Sequence, residues 1–211
     1  LPGKQISRNM ERRKIHLPVI DLRPFWNAEQ FSLAERETTA AMIAIACENH
    51  GMFYVTCPTS AGILSGTAFR AAHSLFSLPL SVKQAAVPVD PVPSAARGYL
   101  GVGSESGGLL HERKEAFSFS VDCHEDRSRG EKQRNALQAP NVWPCEPPTG
   151  GSQAIRPVFE SLFMDMSQIA LAIARAFAVA LGDRELVDIC HGGTPVSLMR
   201  CIHYLPESDD T

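Results

Sequence analysis

The sequence lacks the marks of several large protein classes. It has no Cys-x-x-Cys pair: its six cysteines stand apart at 47, 57, 123, 145, 190 and 201. That spacing offers neither a zinc site nor the dense cross-linking of a small secreted fold, so reduced thiols in a cytoplasmic protein are expected. No signal peptide is expected, because the basic opening runs into His16-Leu17-Pro18 and Asp21 instead of an apolar run. The most apolar stretch, 169–181, is interrupted by Arg175 and falls short of the roughly 20 residues a bilayer needs, so no membrane is expected as partner. The formal net charge is only -3, which gives nucleic acid no electrostatic hold. A phosphate cradle is missing too. Gly101-Val-Gly-Ser-Glu-Ser-Gly-Gly is glycine-rich, but it lacks the Lys-Ser/Thr of a P-loop and leads toward a strand, not a helix. No internal repeat stands out. The first residue is Leu1 and not Met, as in a processed or partial piece.

What is present is an ordinary globular composition, with 44% apolar and 20% charged residues over 211 positions. Residues 1–16 form a basic arm carrying Lys4, Arg8, Arg12, Arg13 and Lys14, which reads as solvated chain or as a partner contact. Residues 17–22 read as a short buried strand. An amphipathic helix is predicted over 33–49, with Leu33, Ala40, Ile43 and Cys47 on one stripe and Gly51 ending it. A strand at 52–56 and a helix at about 59–76 follow. Three prolines within 87–93 exclude regular structure there. Residues 97–100 read as a short strand entering the glycine-rich turn 101–108. Residues 115–121 read as a half-buried strand, with Ala116 and Ser118 opposed to Phe117, Phe119 and Val121. Residues 123–152 are polar and rich in Pro and Gly, anchored only at Asn141-Val-Trp-Pro144. A long helix over about 157–181 repeats Phe159, Phe163, Met166, Ile169, Ile173, Phe177 and Leu181 at helical steps. It is apolar nearly all round in its second half, so it should be a core helix covered on more than one side. A last strand is predicted over 196–204.

Several of these segments, in this order, resemble the isopenicillin N synthase-like branch of the iron(II)/2-oxoglutarate-dependent oxygenases. The resemblance is carried by Leu17-Pro-Val-Ile-Asp-Leu22, Ala46-Cys-Glu-Asn-His-Gly-Met-Phe-Tyr-Val55, Phe76-Ser-Leu-Pro79 with Lys83, Arg97-Gly98-Tyr99 followed by Lys114-Glu115-Ala-Phe117, Pro140-Asn141-Val-Trp143-Pro144, and Ser197-Leu-Met-Arg-Cys-Ile-His-Tyr204. It runs from about residue 17 to residue 206 and resembles the N-terminal part of the family. It implies an α+β chain whose helical N-terminal region flanks a double-stranded β-helix, or jelly roll, incomplete in this chain. On that pattern 17–150 is the N-terminal α/β region, and 151–211 holds the long core helix and first barrel strand.

The resemblance further implies an oxidoreductase that uses Fe(II) and 2-oxoglutarate on a small organic substrate, by hydroxylation, desaturation or ring closure; some family members use no 2-oxoglutarate. A 2-His-1-carboxylate triad leaves metal positions free for co-substrate and dioxygen. In the family its first two ligands form a His-x-Asp pair after the strand that here ends at Tyr204, and the sequence stops at Thr211. The expectation is therefore no catalytic residue and no metal ligand within these residues, and no activity from them alone. The alternative is a non-catalytic relative serving as a binding or scaffold module. His124-Glu125-Asp126 has the spacing of a ligand pair but lies in a polar loop, and His50 sits at a helix end where a cation complements the dipole.

Strand alternation puts Arg200, Ile202 and Tyr204 on one face and Met199, Cys201 and His203 on the other. The resemblance implies that Tyr204 hydrogen-bonds the co-substrate and that its face lines the barrel interior. Arg200 would then present a cation to an acidic co-substrate or substrate, or else serve as a structural ion-pair partner. A slip of one residue would exchange the faces. Arg97 and Tyr99 resemble a loop that lines the substrate mouth in some members, with surface packing as the other reading. Finally, a small sheet covering one side of the long helix would leave Ile169, Ile173 or Phe177 in water. The remainder of the chain or a second copy is expected to complete the structure.

Overall fold

The computed structural model describes residues 16–56, 66–87, 97–105, 112–120, 140–145, 155–191 and 197–206, the side chain of residue 191 excepted. Residues 1–15 of the basic arm, Val121, Val196 and the His124-Glu125-Asp126 segment lie outside them.

The first unit is a parallel strand pair joined through a helix. Strand β1 (Val19–Asp21) leads through the short helix α1 (Arg23–Trp26) and a 3-10 turn (Ala28–Gln30) into α2 (Leu33–His50), which returns to β2 (Tyr54–Thr56). The strands run parallel with Val19 opposite Tyr54 and Asp21 opposite Thr56. One β-α-β crossover thus exists where the sequence shows no strict alternation of that kind. Both ends of α2 are written locally. The Ser32 hydroxyl accepts from the Glu35 amide at 3.3 Å while the Glu35 carboxylate accepts from the Ser32 amide at 2.8 Å. Two of the otherwise orphaned amides at the helix start are satisfied this way. At the other end Gly51 takes φ 70°, as expected of a glycine cap. We expect Ser32→Ala to cost about 1 kcal/mol, read as a shift in the urea unfolding midpoint.

The buried stripe of α2 differs from the expected one. Thr39, Ala40, Ile43 and Ala46 are buried, whereas Leu33 is 59% exposed and Cys47 is half-buried. The reason is the neighbour. Alanines at 40 and 46 meet Ala172 and Ala176 of the long helix α5 (Ile155–Leu181), and small side chains let the two backbones approach. Ile20, Leu22, Phe25 and Ile43 complete this cluster, with Ile169, Ile173 and Phe177 packed partly buried against it. Ile169, Ile173 and Phe177, one or another of which was expected to lie in water, are thus half-buried against this cluster, while Val179 and Leu181 of the same helix are exposed.

The second unit is antiparallel. Helices α3 (Thr67–Phe76) and α4 (Leu80–Gln84) precede strands β3 (Gly98–Leu100) and β4 (Lys114–Phe119); α6 (Leu186–His191) and β5 (Met199–Tyr204) follow α5. The sheet order is β3-β4-β5, with Tyr99 opposite Phe117, and Lys114, Ala116 and Ser118 opposite Tyr204, Ile202 and Arg200. Phe117, Phe119, Phe159, Ile155 and Phe163 form its core, joined by Leu75 and Tyr99. The ring of Phe119 stacks on Phe159 with centroids 5.1 Å apart. Strand β4 is buried on both faces, not half-buried as its alternation suggests. It is the central strand, and the residues on its second face, Ala116 and Ser118, are small enough to be covered by neighbouring strands.

The sequence motifs acquire physical reasons here. Gly98 has φ +77°, and a Cβ there would stand 2.0 Å from the Ala86 carbonyl oxygen, so only glycine fits. The Asn141 side chain imitates a strand partner for Ser120, accepting from its amide at 2.9 Å and donating to its carbonyl at 2.6 Å. That bracket sets Trp143 against Phe117 and Phe119, with centroids 5.2 and 5.5 Å away.

Helix α5 ties the units together: its first half packs on the sheet, and its second half on α2. With 27 residues it is about 40 Å long at roughly 1.5 Å per residue. By length and composition it is apolar enough to cross a bilayer, contrary to the shorter stretch read from the sequence. Its buried positions are taken up by the two clusters.

Candidate functional site

The antiparallel sheet has two unlike faces. One is covered by α5, α3 and α4. The other presents Lys114, Ala116 and Ser118 of β4 beside Arg200, Ile202 and Tyr204 of β5. Ile202 is 43% and Tyr204 71% exposed, whereas Met199 and Cys201 pack against the aromatic core. The alternation expected of β5 therefore holds in the stated register, with Tyr204 turned away from the helix-covered side.

Charge on the open face is gathered around one carboxylate. Glu105, in the turn after β3, accepts from Arg200 Nη1 at 2.7 Å and lies 3.6 Å from Lys114 Nζ. Arg200 Nε also donates to Ser118 Oγ at 3.1 Å. Lys114 forms a further, close ion pair with Glu112, whose hydrogen bond holds the ammonium pKa above its ordinary value. Arg200 thus has the ion-pair partner that one of the two sequence readings requires. Tyr204 stands beside this cluster, opposite Lys114 across the strands.

The helix-covered side carries a polar centre that the sequence reading misses. Glu115, with its side chain 6% exposed, accepts at Oε2 from Lys83 Nζ (2.7 Å) and the Tyr99 hydroxyl (2.6 Å). Its Oε1 lies 2.9 Å from His203 Nδ1. An ionised carboxylate only accepts, so Nδ1 carries the proton. Lys83 also donates to the Phe76 carbonyl at 2.9 Å, and the His203 ring lies over Phe76 at 5.2 Å. Burial pushes the Glu115 pKa up, but the hydrogen bonds from Lys83, Tyr99 and His203 outweigh it and the net displacement is downward. Burial, then the bond to Glu115, pushes the Tyr99 phenol well above its ordinary range. The sequence offers little signal for it, since Glu115 ends the charged run Glu112-Arg-Lys-Glu115 and Lys83 stands beside Gln84.

Arg97 and Tyr99, expected at a substrate mouth, are 2% and 5% exposed. Tyr99 belongs to the aromatic cluster and to the Glu115 centre. Among the described residues no three His, Cys, Asp or Glu side chains gather closely enough to hold a metal ion. His50 is exposed at the end of α2. The described residues therefore do not by themselves fit an iron centre.

Residues 17–146 match the family model described as the N-terminal region of the non-haem dioxygenase in morphine synthesis. No curated protein matches the chain. Among solved structures, a C-terminally truncated Neurospora crassa protein in apo form aligns with a TM-score of 0.60 at 19% identity, over 96% of this chain and 67% of that one. The full-length form of that protein, in complex with alpha-KG and thymine, aligns at 0.61 and 19%, over 92% and 56%. A 2OG-Fe(II) oxygenase family protein from Caulobacter crescentus aligns at 0.65 and 20%, over 92% and 58%. The likeness to these structures is one of fold, and the chain spans little more than half the length of the last two. The matched segment covers more than half of the chain and takes in the Gly98 approach, the Glu115 centre except His203, and the Asn141–Trp143 bracket, so the protein belongs to the non-haem dioxygenase N-terminal family, consistent with an isopenicillin N synthase-like member.

Proposed function

We propose that this chain is the N-terminal part of an iron(II)- and 2-oxoglutarate-dependent oxygenase that oxidises a small organic molecule. The observation that carries the reading is the outer face of β4 and β5, where a phenol and a guanidinium stand together on exposed positions of β5. In this reading further strands close that face into a jelly roll, and the metal ligands come from polypeptide outside residues 1–211. Bound iron would supply the oxidising chemistry. The residues of this chain would orient the co-substrate: Tyr204 by a hydrogen bond to its carboxylate, and Arg200 as a cation once it shares or leaves Glu105. Charge-assisted bonds of this kind suit a dicarboxylate such as 2-oxoglutarate. The solved Neurospora crassa complexes hold alpha-KG together with thymine or 5-formyluracil, which supports a small-molecule substrate here.

The test is succinate formation from 2-oxoglutarate, with iron(II) and oxygen, by protein that includes the polypeptide following Thr211. Turnover that stops when iron is chelated supports the reading; no turnover, with iron bound and 2-oxoglutarate unbound, overturns it. In the active protein Tyr204→Phe should raise KM for 2-oxoglutarate by the worth of one hydrogen bond, about 0.5–1.5 kcal/mol or roughly 2- to 13-fold. An unchanged KM would remove Tyr204 from the co-substrate site.

A further inference from the structure

We propose that His203 and Glu115 are a positioning pair that fixes the register of β5 and thereby holds Tyr204 on the open face. The inference rests on the reading of Tyr204 given above; on the outer face the register is held by Arg200 through Glu105 and Ser118, and on the helix side by His203. Strand β5 has six residues and only one hydrogen-bonded neighbour strand among the described residues. Register is strongly set where one face is apolar and the other polar. Here the apolar side chains alone separate the faces weakly: Met199 and Cys201 are half-buried toward the helices, while Ile202 is 43% exposed beside Arg200 and Tyr204 on the other side. A slip of one residue would exchange the faces, break the bonds of Arg200 to Glu105 and Ser118, and carry Tyr204 to the wrong side.

The asymmetry lies at His203. It stands directly opposite Glu115, one residue before the end of β5, with its own side chain 44% exposed and that of Glu115 6%. Lys83 and Tyr99 both occupy Oε2 of that carboxylate, which leaves Oε1 to His203 Nδ1 at 2.9 Å. Phe76 supports the ring from the helix side. A slip in one direction would bring Ile202 opposite Glu115, with no donor for a buried anionic oxygen, which is costly. A slip in the other would bring Tyr204 there, where its phenol could donate to Oε1 but would be lost to the open face. An imidazole of this reach, in this place, keeps Tyr204 outward. The backbone bond from the Leu205 amide to the Arg113 carbonyl, 2.9 Å, closes the strand just beyond.

Cys201 reports the register. It is half-buried on the helix side, where burial pushes its thiol pKa up to about 11 and slows its reaction as thiolate. A slip would turn it to the open face. The experiment compares His203→Leu, which has no donor, with His203→Asn, whose amide nitrogen stands near the place of Nδ1. Labelling by a soluble disulfide reagent is followed thiol by thiol by peptide mass spectrometry, with Cys47 in the other cluster as internal control. We expect Cys201 to label at least tenfold faster in His203→Leu, with Cys47 unchanged. In His203→Asn the rate should stay within about twofold of the parent. Equal Cys201 rates in parent and His203→Leu overturn the proposal. So does acceleration of Cys47 alongside Cys201, which marks general unfolding, and so does failure of asparagine to restore the parent rate. No arm uses 2-oxoglutarate, so faster Cys201 labelling together with an unchanged KM in Tyr204→Phe would leave the register lock standing and refute only the co-substrate role.

Discussion

Glu115→Leu should destabilise the protein by about 3–5 kcal/mol, because it leaves the Lys83 ammonium buried without its counter-charge. Lys83 is 8% exposed and would keep only the Phe76 carbonyl and the face of Tyr99, whose ring centroid is 5.3 Å away. Tyr99 and His203 would each lose an acceptor as well. Against a typical net stability of about 5–15 kcal/mol this is a large fraction. The double variant Lys83→Met/Glu115→Leu should recover most of the loss, since a buried ion pair replaced as a unit by apolar groups is often neutral. Urea unfolding midpoints of the parent, the single variant and the double variant decide the matter. A single-variant loss below about 1 kcal/mol would show that water reaches the ammonium.

The same centre gives stability a pH dependence of known sign. The Glu115 pKa lies below its ordinary value of 4.5 in the folded protein. The folded state thus gives up that proton more readily than the unfolded chain does. The stabilisation is fully present above about pH 4.5 and is lost as pH falls through the folded value. Glu115→Gln should flatten that acid limb, and a limb of unchanged slope would assign it to other carboxylates.

Phe119→Ala ranks with it, at about 3–5 kcal/mol. Phe119 is fully buried, with the rings of Phe117, Trp143, Phe159 and Phe163 between 5.1 and 6.3 Å from its own. These rings come from a strand, the Asn141 bracket and α5, so the cavity has walls that cannot all move inward. Phe69, 79% exposed on α3, provides the contrast: Phe69→Ala should stay within about 0.5 kcal/mol. Thermal unfolding of both variants measures the difference. Comparable losses would mean that the aromatic cluster is not the centre of the fold.

What the sequence can and cannot disclose follows from the range of the interactions. The cap at Gly51, the strand alternation of β5 and the anchoring of 141–144 are local, set within a few residues, and they are legible. The partner of an all-round apolar helix is not local. Nothing in 169–181 says that alanines of α2 will meet it, so Ile169, Ile173 and Phe177 look stranded in the sequence although the fold packs them. The burial of both faces of β4 depends on its central place in the sheet, which periodicity does not encode. The Glu115 centre joins residues 32, 16 and 88 positions apart. In the sequence Glu115 is hidden at the end of the charged run Glu112-Arg-Lys-Glu115, and Arg97 and Tyr99 resemble mouth residues although the fold buries both.

The length of α5 carries a consequence for synthesis on the ribosome. Ile20, Leu22, Phe25 and Ile43 leave the ribosome early, yet the alanines that close over them are at 172 and 176. At about 5–20 residues per second, the roughly 130 intervening residues take some 6–26 s to appear. For that interval the first unit has made its capped helix and can pair its parallel strands, but it holds an apolar groove open to any other nascent chain. A helper that shields nascent apolar surface would have its longest task on residues 20–46, and its release would follow the emergence of a single helix.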